Sequence, residues 1–338
     1  MVQKSTAQGM LLVLISVCVT ILGLELALRV RHGTLLQFES LTAPPARTIG
    51  RMQYDSRLGW TPRPGRFVSD WSSSVDALGL RDNGRSLSTT ARPILAIGDS
   101  FTFGDEVEDG ETWPAYLEGA LNRRTLNAGV GAYGIDQAVL RAEMLLDEYN
   151  PDVVILPFIS DDISRTEYEF YPYGRGWKPY FEVEDGVLRL LNTPVPATPP
   201  TFHRFQTLRR ILGYSFFANM VVSRLHPQWW WDVPRTTRVH TDGESVSIAL
   251  LTRLDSLTRE RGGQFIAVSL ATNGRIGGND RLLSVVQGAR ANGVRVLDLA
   301  GETVALPPEQ LRRSFRPGGH YSPEMNAWVA DQIAGALR

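Results

Sequence analysis

The stretch ILAIGDSFTFG, residues 94–104, decides the fold of this chain. Its short apolar run ILAI is typical of a strand that is buried on both faces of a parallel sheet. The run ends in Gly98, and Gly98 and Gly104 allow tight backbone turns on either side of Ser100. Because ligand sites in open α/β sheets form at the carboxyl ends of the strands, we expect Ser100 to face a cleft.

The same alternation of apolar strands and amphipathic helices continues along the chain. The spacing of apolar residues predicts further strands over 126–130, 152–158, 264–271 and 294–299, and helices over 113–121, 135–149, 245–261, 280–292 and 323–337. Continuous apolar strands that alternate with helices indicate a parallel sheet covered on both faces. We therefore predict a flavodoxin-like three-layer α/β/α sandwich with about five parallel strands.

An apolar segment, Met10–Leu28, precedes this pattern and contains one charged residue, Glu25. At about 1.5 Å per residue it spans about 28 Å, close to the ~30 Å hydrocarbon core of a bilayer. A buried core helix is the alternative. No small-x-small cleavage site follows, so we predict an uncleaved single-span signal-anchor. Basic residues are more numerous after the segment than before it, which argues weakly against export of the rest of the chain.

The sequence divides into three parts. Residues 1–32 form a cytoplasmic tip and transmembrane anchor, 33–92 a turn-rich lead-in with short strands, and 93–338 the main α/β domain. An insertion over 165–240 holds nearly half of the Trp, Tyr and Phe residues, including Trp229, Trp230 and Trp231. It is either a helical subdomain with a small core of its own, a lid over the site, or a surface that touches the membrane.

Composition excludes several classes of site. The 338 residues carry 35 Lys and Arg against 36 Asp and Glu, a net charge of −1, so we expect no nucleic-acid partner. The single cysteine excludes an internal disulfide and a thiolate zinc site.

Ser100 is a weak nucleophile unless a base and an oxyanion hole activate it. His320 lies in RPGGHYSP, residues 316–323, directly before the closing helix, where it could reach the first strand of the sheet. A capping serine in an ordinary turn and a surface histidine are the structural alternatives. The two residues together predict nucleophilic catalysis.

Four blocks of sequence resemble the SGNH (GDSL-type) hydrolase family. They are GDS at 98–100, NAGVGAYG at 127–134, FISDD at 158–162, and the loop around His320. The resemblance spans roughly 93–165 and 245–337, and the lead-in LGW at 58–60 and GLR at 79–81 is similar to that of membrane-anchored members.

This resemblance implies a flavodoxin-like fold, ester hydrolysis or acyl transfer, and no cofactor. It implies Ser100 as nucleophile and His320 as base, with an oxyanion hole formed by the N–H groups of Ser100 and Ala132 and by the side chain at Asp161. Anchored members usually present the catalytic domain outside the cytoplasm, which implies a periplasmic or extracellular domain here.

Two positions depart from the family pattern. Asp161 stands where an asparagine usually donates to the oxyanion, and loss of one such donor typically costs about 10²–10³ in rate. Either Asp161 is neutral, another donor substitutes, or the reaction is slow. Pro317 stands where an aspartate usually precedes the histidine by three residues. The triad then shrinks to a Ser100–His320 pair, with a backbone carbonyl or a distant acid, Asp298 or Glu302, orienting the imidazole.

Three other interpretations are weaker. The GVGAYG of 129–134 matches a dinucleotide fingerprint, but the acid about 20 residues on, Asp152, begins the next strand rather than ending it. Thr102 disfavours the α/β-hydrolase elbow, which requires glycine. Asp99, Asp161 and Asp162 could hold a divalent metal, but adjacent carboxylates near strand ends are more often loop caps.

The sequence therefore predicts a serine esterase or O-acyltransferase, anchored by one helix. Its substrate would be an acyl ester of a small molecule or a cell-envelope glycan. The alternative is a catalytically degenerate member that binds an acylated glycan or a protein partner.

Overall fold

A computed structural model describes residues 2–31, 51–85, 87, 91–171, 176–197, 205–226, 229–230, 239 and 241–338. The described residues fall into two compact units. The smaller unit holds 2–31, 205–226 and 229–230, and the larger unit holds the rest.

The strands are β1 (Met52–Asp55), β2 (Gly59–Pro62), β3 (Gly65–Val68), β4 (Ser72–Val75), β5 (Ile94–Ala96), β6 (Thr125–Asn127), β7 (Val153–Phe158), β8 (Phe170–Tyr171), β9 (Gly176–Trp177), β10 (Tyr180–Glu184), β11 (Val187–Leu191), β12 (Gln264–Ser269) and β13 (Val296–Asp298). The helices are α1 (Val2–Arg31), α2 (Ser100–Phe103), α3 (Trp113–Leu121), α4 (Ile135–Tyr149), α5 (Ser160–Arg165), α6 (Gln206–Leu212), α7 (Phe216–Leu225), α8 (Gly243–Glu260), α9 (Asp280–Ala291), α10 (Leu299–Glu302), α11 (Pro308–Arg313) and α12 (Pro323–Leu337).

Five strands of the larger unit form one parallel sheet in the order β6-β5-β7-β12-β13. Numbered along the chain, that order is 2-1-3-4-5, the flavodoxin-like arrangement. All six residues of β7 are buried, as expected for a strand covered on both faces. Helices α4, α8 and α9 cover one face, and α3 and α12 cover the other. The predicted three-layer α/β/α fold is thus confirmed.

The antiparallel hairpins β1–β2 and β3–β4 of the lead-in belong to the larger unit. Met52, Leu58 and Trp60 pack against Val130 and Tyr133 in the loop after β6. The Trp60 indole also donates to the Gly131 carbonyl at 3.0 Å. The described lead-in therefore buttresses the segment that follows β6, whereas the earlier part of the predicted lead-in, 33–50, lies outside the described residues.

The predicted insertion, 165–240, divides between the two units. Strands β8 to β11 form two antiparallel hairpins in the larger unit, whereas α6 and α7 belong with α1 to the smaller one. Trp230 is fully buried, but Trp231 lies outside the described residues. The described part of the insertion therefore contains both hairpins and helices, and the division of the chain into domains stays a prediction.

Helix α1 contains the predicted anchor. Its segment Gln8–Arg31, 24 residues long, contains an 18-residue window with a mean hydropathy of 2.6, of which none is buried by protein, and it is long and apolar enough to cross a membrane.

Candidate active site

Ser100 begins α2 directly after β5, so its hydroxyl lies at the carboxyl edge of the sheet. Asp99 caps this short helix by accepting from the Phe101 N–H at 2.9 Å, and Gly104 ends it in the left-handed conformation, with φ of 88°. As the first residue of α2, Ser100 has a backbone N–H without an acceptor in the helix. The turn thus places the Ser100 hydroxyl beside an N–H that the helix itself does not use.

The structure brings His320 to Ser100. The ring nitrogen Nε2 lies 2.9 Å from Ser100 Oγ, within hydrogen-bond reach although the residues are far apart in sequence. Ser100 is 7% exposed and the His320 side chain 25%, so the pair remains accessible from solvent. Each residue therefore has the position that the sequence analysis predicts.

The loop that carries His320 is held rigidly from both sides. The neighbouring Tyr321 is buried and donates its hydroxyl to the Ala271 carbonyl at 2.7 Å, just beyond β12. Its ring meets Phe101 edge-on at 4.8 Å between centroids. Arg316 N–H donates to the His320 carbonyl at 2.7 Å and closes the loop. These contacts fix the imidazole beside α2.

Glu106 orients the imidazole, and the sequence analysis missed it. Its Oε2 lies 3.0 Å from His320 Nδ1 and 3.1 Å from the His320 backbone nitrogen, while Oε1 accepts from Gly318 N–H at 2.7 Å. Partial burial acts to raise the pKa of the Glu106 carboxyl, but the His320 and Gly318 donors outweigh it, and the pKa lies below its ordinary value. A carboxylate is thus available to hold Nδ1–H and direct Nε2 at the hydroxyl.

Asp298, the acid that the sequence suggested for orienting the imidazole, makes other contacts. Asp298 caps α10 by accepting from the Gly301 N–H at 3.0 Å, and it also accepts from the Ser269 hydroxyl. Because the Glu106 carboxylate bonds His320 Nδ1, the orienting acid in the structure is Glu106 and not Asp298. Glu106 lies only six residues after Ser100, and the adjacent acids Asp105 and Glu106 were the signal that could have identified it.

A buried arginine shapes the loop that bears Glu106. Arg81 donates to the carbonyls of Phe103 at 2.7 Å and Val107 at 2.6 Å, and also to that of Gly104. Glu106 has φ of 70°, a left-handed conformation that is uncommon for residues other than glycine. A left-handed residue of this kind costs free energy. The Arg81 hydrogen bonds on either side of Glu106 offset that cost and hold the turn.

The glycine-rich block after β6 packs against the nucleophile helix. A Cβ on Gly129 would lie 2.2 Å from the Phe103 nitrogen, so only glycine permits this approach. This close packing accounts for one glycine of the GVGAYG fingerprint without a nucleotide. Ala132, in the same block, has φ of 65°. Its backbone N–H as an oxyanion donor stays a prediction.

The three carboxylates considered for a metal are engaged by arginines. Arg165 Nη1 lies 3.3 Å from Asp99 Oδ2 and also bonds Asp162. Burial raises the pKa of the Asp162 carboxyl well above its ordinary value, and the nearby Asp99 charge adds to this, while Arg165 opposes it. Asp161 is half exposed and accepts from Arg275 at 2.7 Å. Because this contact uses Asp161 as an acceptor, its predicted donor role at the oxyanion gains no support.

Comparison with solved structures gives likenesses at low sequence identity. The chain matches no protein-family model and no curated protein. A solved structure assigned to the G-D-S-L lipolytic family of Desulfitobacterium hafniense is 13% identical, with a TM-score of 0.39 over 72% of this chain and 99% of that one. A lipase/acylhydrolase from Enterococcus faecalis is 14% identical, with a TM-score of 0.40 over 73% and 95%. A psychrotrophic esterase from Pseudoalteromonas is 11% identical, with a TM-score of 0.36 over 73% and 97%. Since these likenesses are so distant, the fold assignment rests on the strand order of the chain itself.

Proposed function

We propose that the chain is a serine esterase that cleaves acyl esters with the triad Ser100, His320 and Glu106. The single observation that carries this proposal is the chain of two hydrogen bonds, 2.9 Å from Ser100 Oγ to Nε2 and 3.0 Å from Nδ1 to Glu106. A nucleophile, a base and an orienting acid in this relation are what an activated serine requires.

The chemistry follows from that geometry. Ser100 Oγ attacks the acyl carbonyl while Nε2 takes its proton, and Glu106 stabilises the imidazolium that forms. The N–H groups of Ser100 and Ala132 hold the negative oxygen of the tetrahedral intermediate. The ester C–O bond then breaks, the alcohol leaves with the proton from Nε2, and the acyl group remains on Ser100. Water, activated by His320, releases the acid and restores the serine.

Transfer of the acyl group to a sugar hydroxyl uses the same acyl-enzyme, with an alcohol in place of water. The proposal includes a sugar hydroxyl as acyl acceptor and a cell-envelope glycan as substrate. Both rest on the resemblance of the four sequence blocks to the SGNH family. The α1 segment supports a single-span anchor, and we propose that the active site faces the outside of the cytoplasm.

The test is hydrolysis of p-nitrophenyl acetate and butyrate by the purified full-length chain in detergent. We expect measurable turnover that is lost in Ser100→Ala and in His320→Ala, while Thr102→Ser, two residues further along α2, serves as the matched control and retains turnover. A Ser100→Ala variant that keeps full activity would disprove the proposal. Absence of turnover in the parent chain would favour the alternative, a degenerate scaffold that only binds.

A further inference from the structure

Glu25 is the acidic residue of the apolar segment, and its position fixes a depth in the bilayer. It lies six residues beyond the midpoint of Met10–Leu28, about 9 Å along the helix axis. Half of a ~30 Å hydrocarbon core is about 15 Å, so in a bilayer centred on this segment the backbone of Glu25 would lie about 6 Å inside the boundary of the core. A charged group at that depth requires partners, because lipid supplies none.

The first turn of α7 supplies those partners. The Glu25 carboxylate accepts from the Ser215 hydroxyl at 2.9 Å and from the N–H groups of Phe216 at 3.1 Å and Phe217 at 2.9 Å. Arg29 donates to Glu25 at 2.8 Å and to the Tyr214 carbonyl at 2.6 Å. Because the Glu25 carboxylate accepts from the N–H groups at the start of α7, the start of α7 must lie at the same depth in the bilayer as Glu25.

Helices α6 and α7 have surfaces that suit this depth. Phe205, Leu208, Ile211 and Tyr214 follow one another at three-residue spacing and are 71%, 49%, 62% and 50% exposed. Leu208 and Ile211 are neighbours on the surface of α6, and Phe205 and Tyr214 flank that helix. In α7, Arg224 is the one charged residue, and no residue is buried by protein. A group of large exposed apolar side chains of this kind is uncommon on a surface that meets only water.

We propose that α6 and α7 insert into the bilayer beside α1, in the leaflet where α1 ends, with lipid acyl chains covering Phe205, Leu208, Ile211 and Tyr214. The ten residues of α7 extend about 15 Å, enough to reach from the depth of Glu25 to the headgroups. Trp229, which is partly exposed, follows, as is common for aromatic residues at the interface. This inference rests on the proposed anchoring but not on the proposed esterase activity.

Lipid quenching of a fluorescent label tests the inference. The full-length chain carries Cys18 as its one cysteine, so Cys18→Ala gives a background for single labels. Leu208→Cys and Ile211→Cys are labelled with the fluorophore NBD and placed in phosphatidylcholine nanodiscs with and without brominated acyl chains. Leu14→Cys, within the α1 segment, is the positive control, and Ser256→Cys, exposed on α8, is the control outside the smaller unit.

We expect brominated lipid to quench the labels at positions 208, 211 and 14 several-fold more than the label at 256. If only the label at 14 is quenched, α6 lies in water or against a protein such as a second copy, and the inference is overturned. If position 14 is not quenched either, the anchoring itself fails and the inference fails with it. Turnover of p-nitrophenyl esters by the same nanodiscs reports separately on the esterase proposal.

Discussion

Replacing Glu106 by glutamine separates a triad from a Ser–His pair. The Glu106 carboxylate accepts three N–H groups, from Gly318 N, His320 N and His320 Nδ1. A glutamine has one carbonyl oxygen and one NH₂ group, so it cannot accept all three. If its oxygen faces His320, its NH₂ meets the Gly318 donor. If its NH₂ faces His320, Nδ1 must become an acceptor, and Nε2 then carries the proton and cannot act as a base.

Both arrangements weaken the base that activates Ser100. General-base assistance contributes about 10²–10⁴ in rate, so we expect Glu106→Gln to lower kcat/KM by a factor in that range. Glu106→Asp keeps the charge on a side chain shorter by one carbon–carbon bond, about 1.5 Å, and should recover part of the loss. Asp tolerates the left-handed backbone of this position.

The assay is hydrolysis of p-nitrophenyl butyrate by folded full-length variants, with circular dichroism as a check on folding. Asp298→Asn is the matched control, because asparagine can replace aspartate as a helix cap and Asp298 is engaged at α10. We expect Asp298→Asn to remain near the wild-type rate. A folded Glu106→Gln variant at the wild-type rate, or an Asp298→Asn variant that loses activity instead, would refute the reasoning.

Three further predictions concern stability and its coupling to the site. Arg81→Met leaves the Gly104 and Val107 carbonyls without their Arg81 donor and the Phe103 carbonyl with Asn127 alone, so we expect a loss of about 2 kcal/mol or more in urea denaturation, together with a lower kcat/KM; unchanged stability would show that these contacts do not hold the loop. Lys178→Met leaves Asp136 buried and uncompensated and should cost about 3–5 kcal/mol, of which the double variant with Asp136→Asn should recover part; equal stability of the single and double variants would contradict this. Because the pKa of Glu106 is lower in the folded chain, its contribution to stability is present above the ordinary carboxyl value of about 4.5 and is lost as pH falls through the lowered value. The difference in unfolding free energy between the parent chain and Glu106→Gln should therefore shrink below pH 4.5, and a difference independent of pH would exclude this linkage.

Local sequence pattern predicted most of the sheet and its helices. The predicted helices over 135–149 and 323–337 coincide with α4 and α12, and β7 begins one residue after its predicted start. Hydrophobic periodicity can be read from a short stretch of sequence. It predicts an element correctly where one face of that element packs against a single core. Strands β6 and β13 are shorter than predicted. Beyond β6, Ala128 and Val130 are buried and still donate to the Ala96 and Gly98 carbonyls, but they lie outside the regular strand. Beyond β13, Leu299 begins α10.

The placement of Ser100 and His320 was also predictable, since both follow or precede elements that end at one edge of the sheet. Glu106 was not, because its role depends on a left-handed turn that Arg81 holds from the lead-in segment. The association of α6 and α7 with α1 depends on Glu25, a contact between segments almost 190 positions apart. Interactions of this kind leave no periodic trace in the sequence.

Covalent labelling by a fluorophosphonate tests the central claim most directly, because it reports the activated serine without knowledge of the natural acyl ester. The full-length chain is treated with the probe, digested and analysed by mass spectrometry. We predict one phosphonyl adduct, on Ser100, that is absent from Ser100→Ala and forms at least tenfold more slowly in Glu106→Gln. No adduct on the folded chain, or an adduct that persists unchanged in Ser100→Ala, would contradict the account.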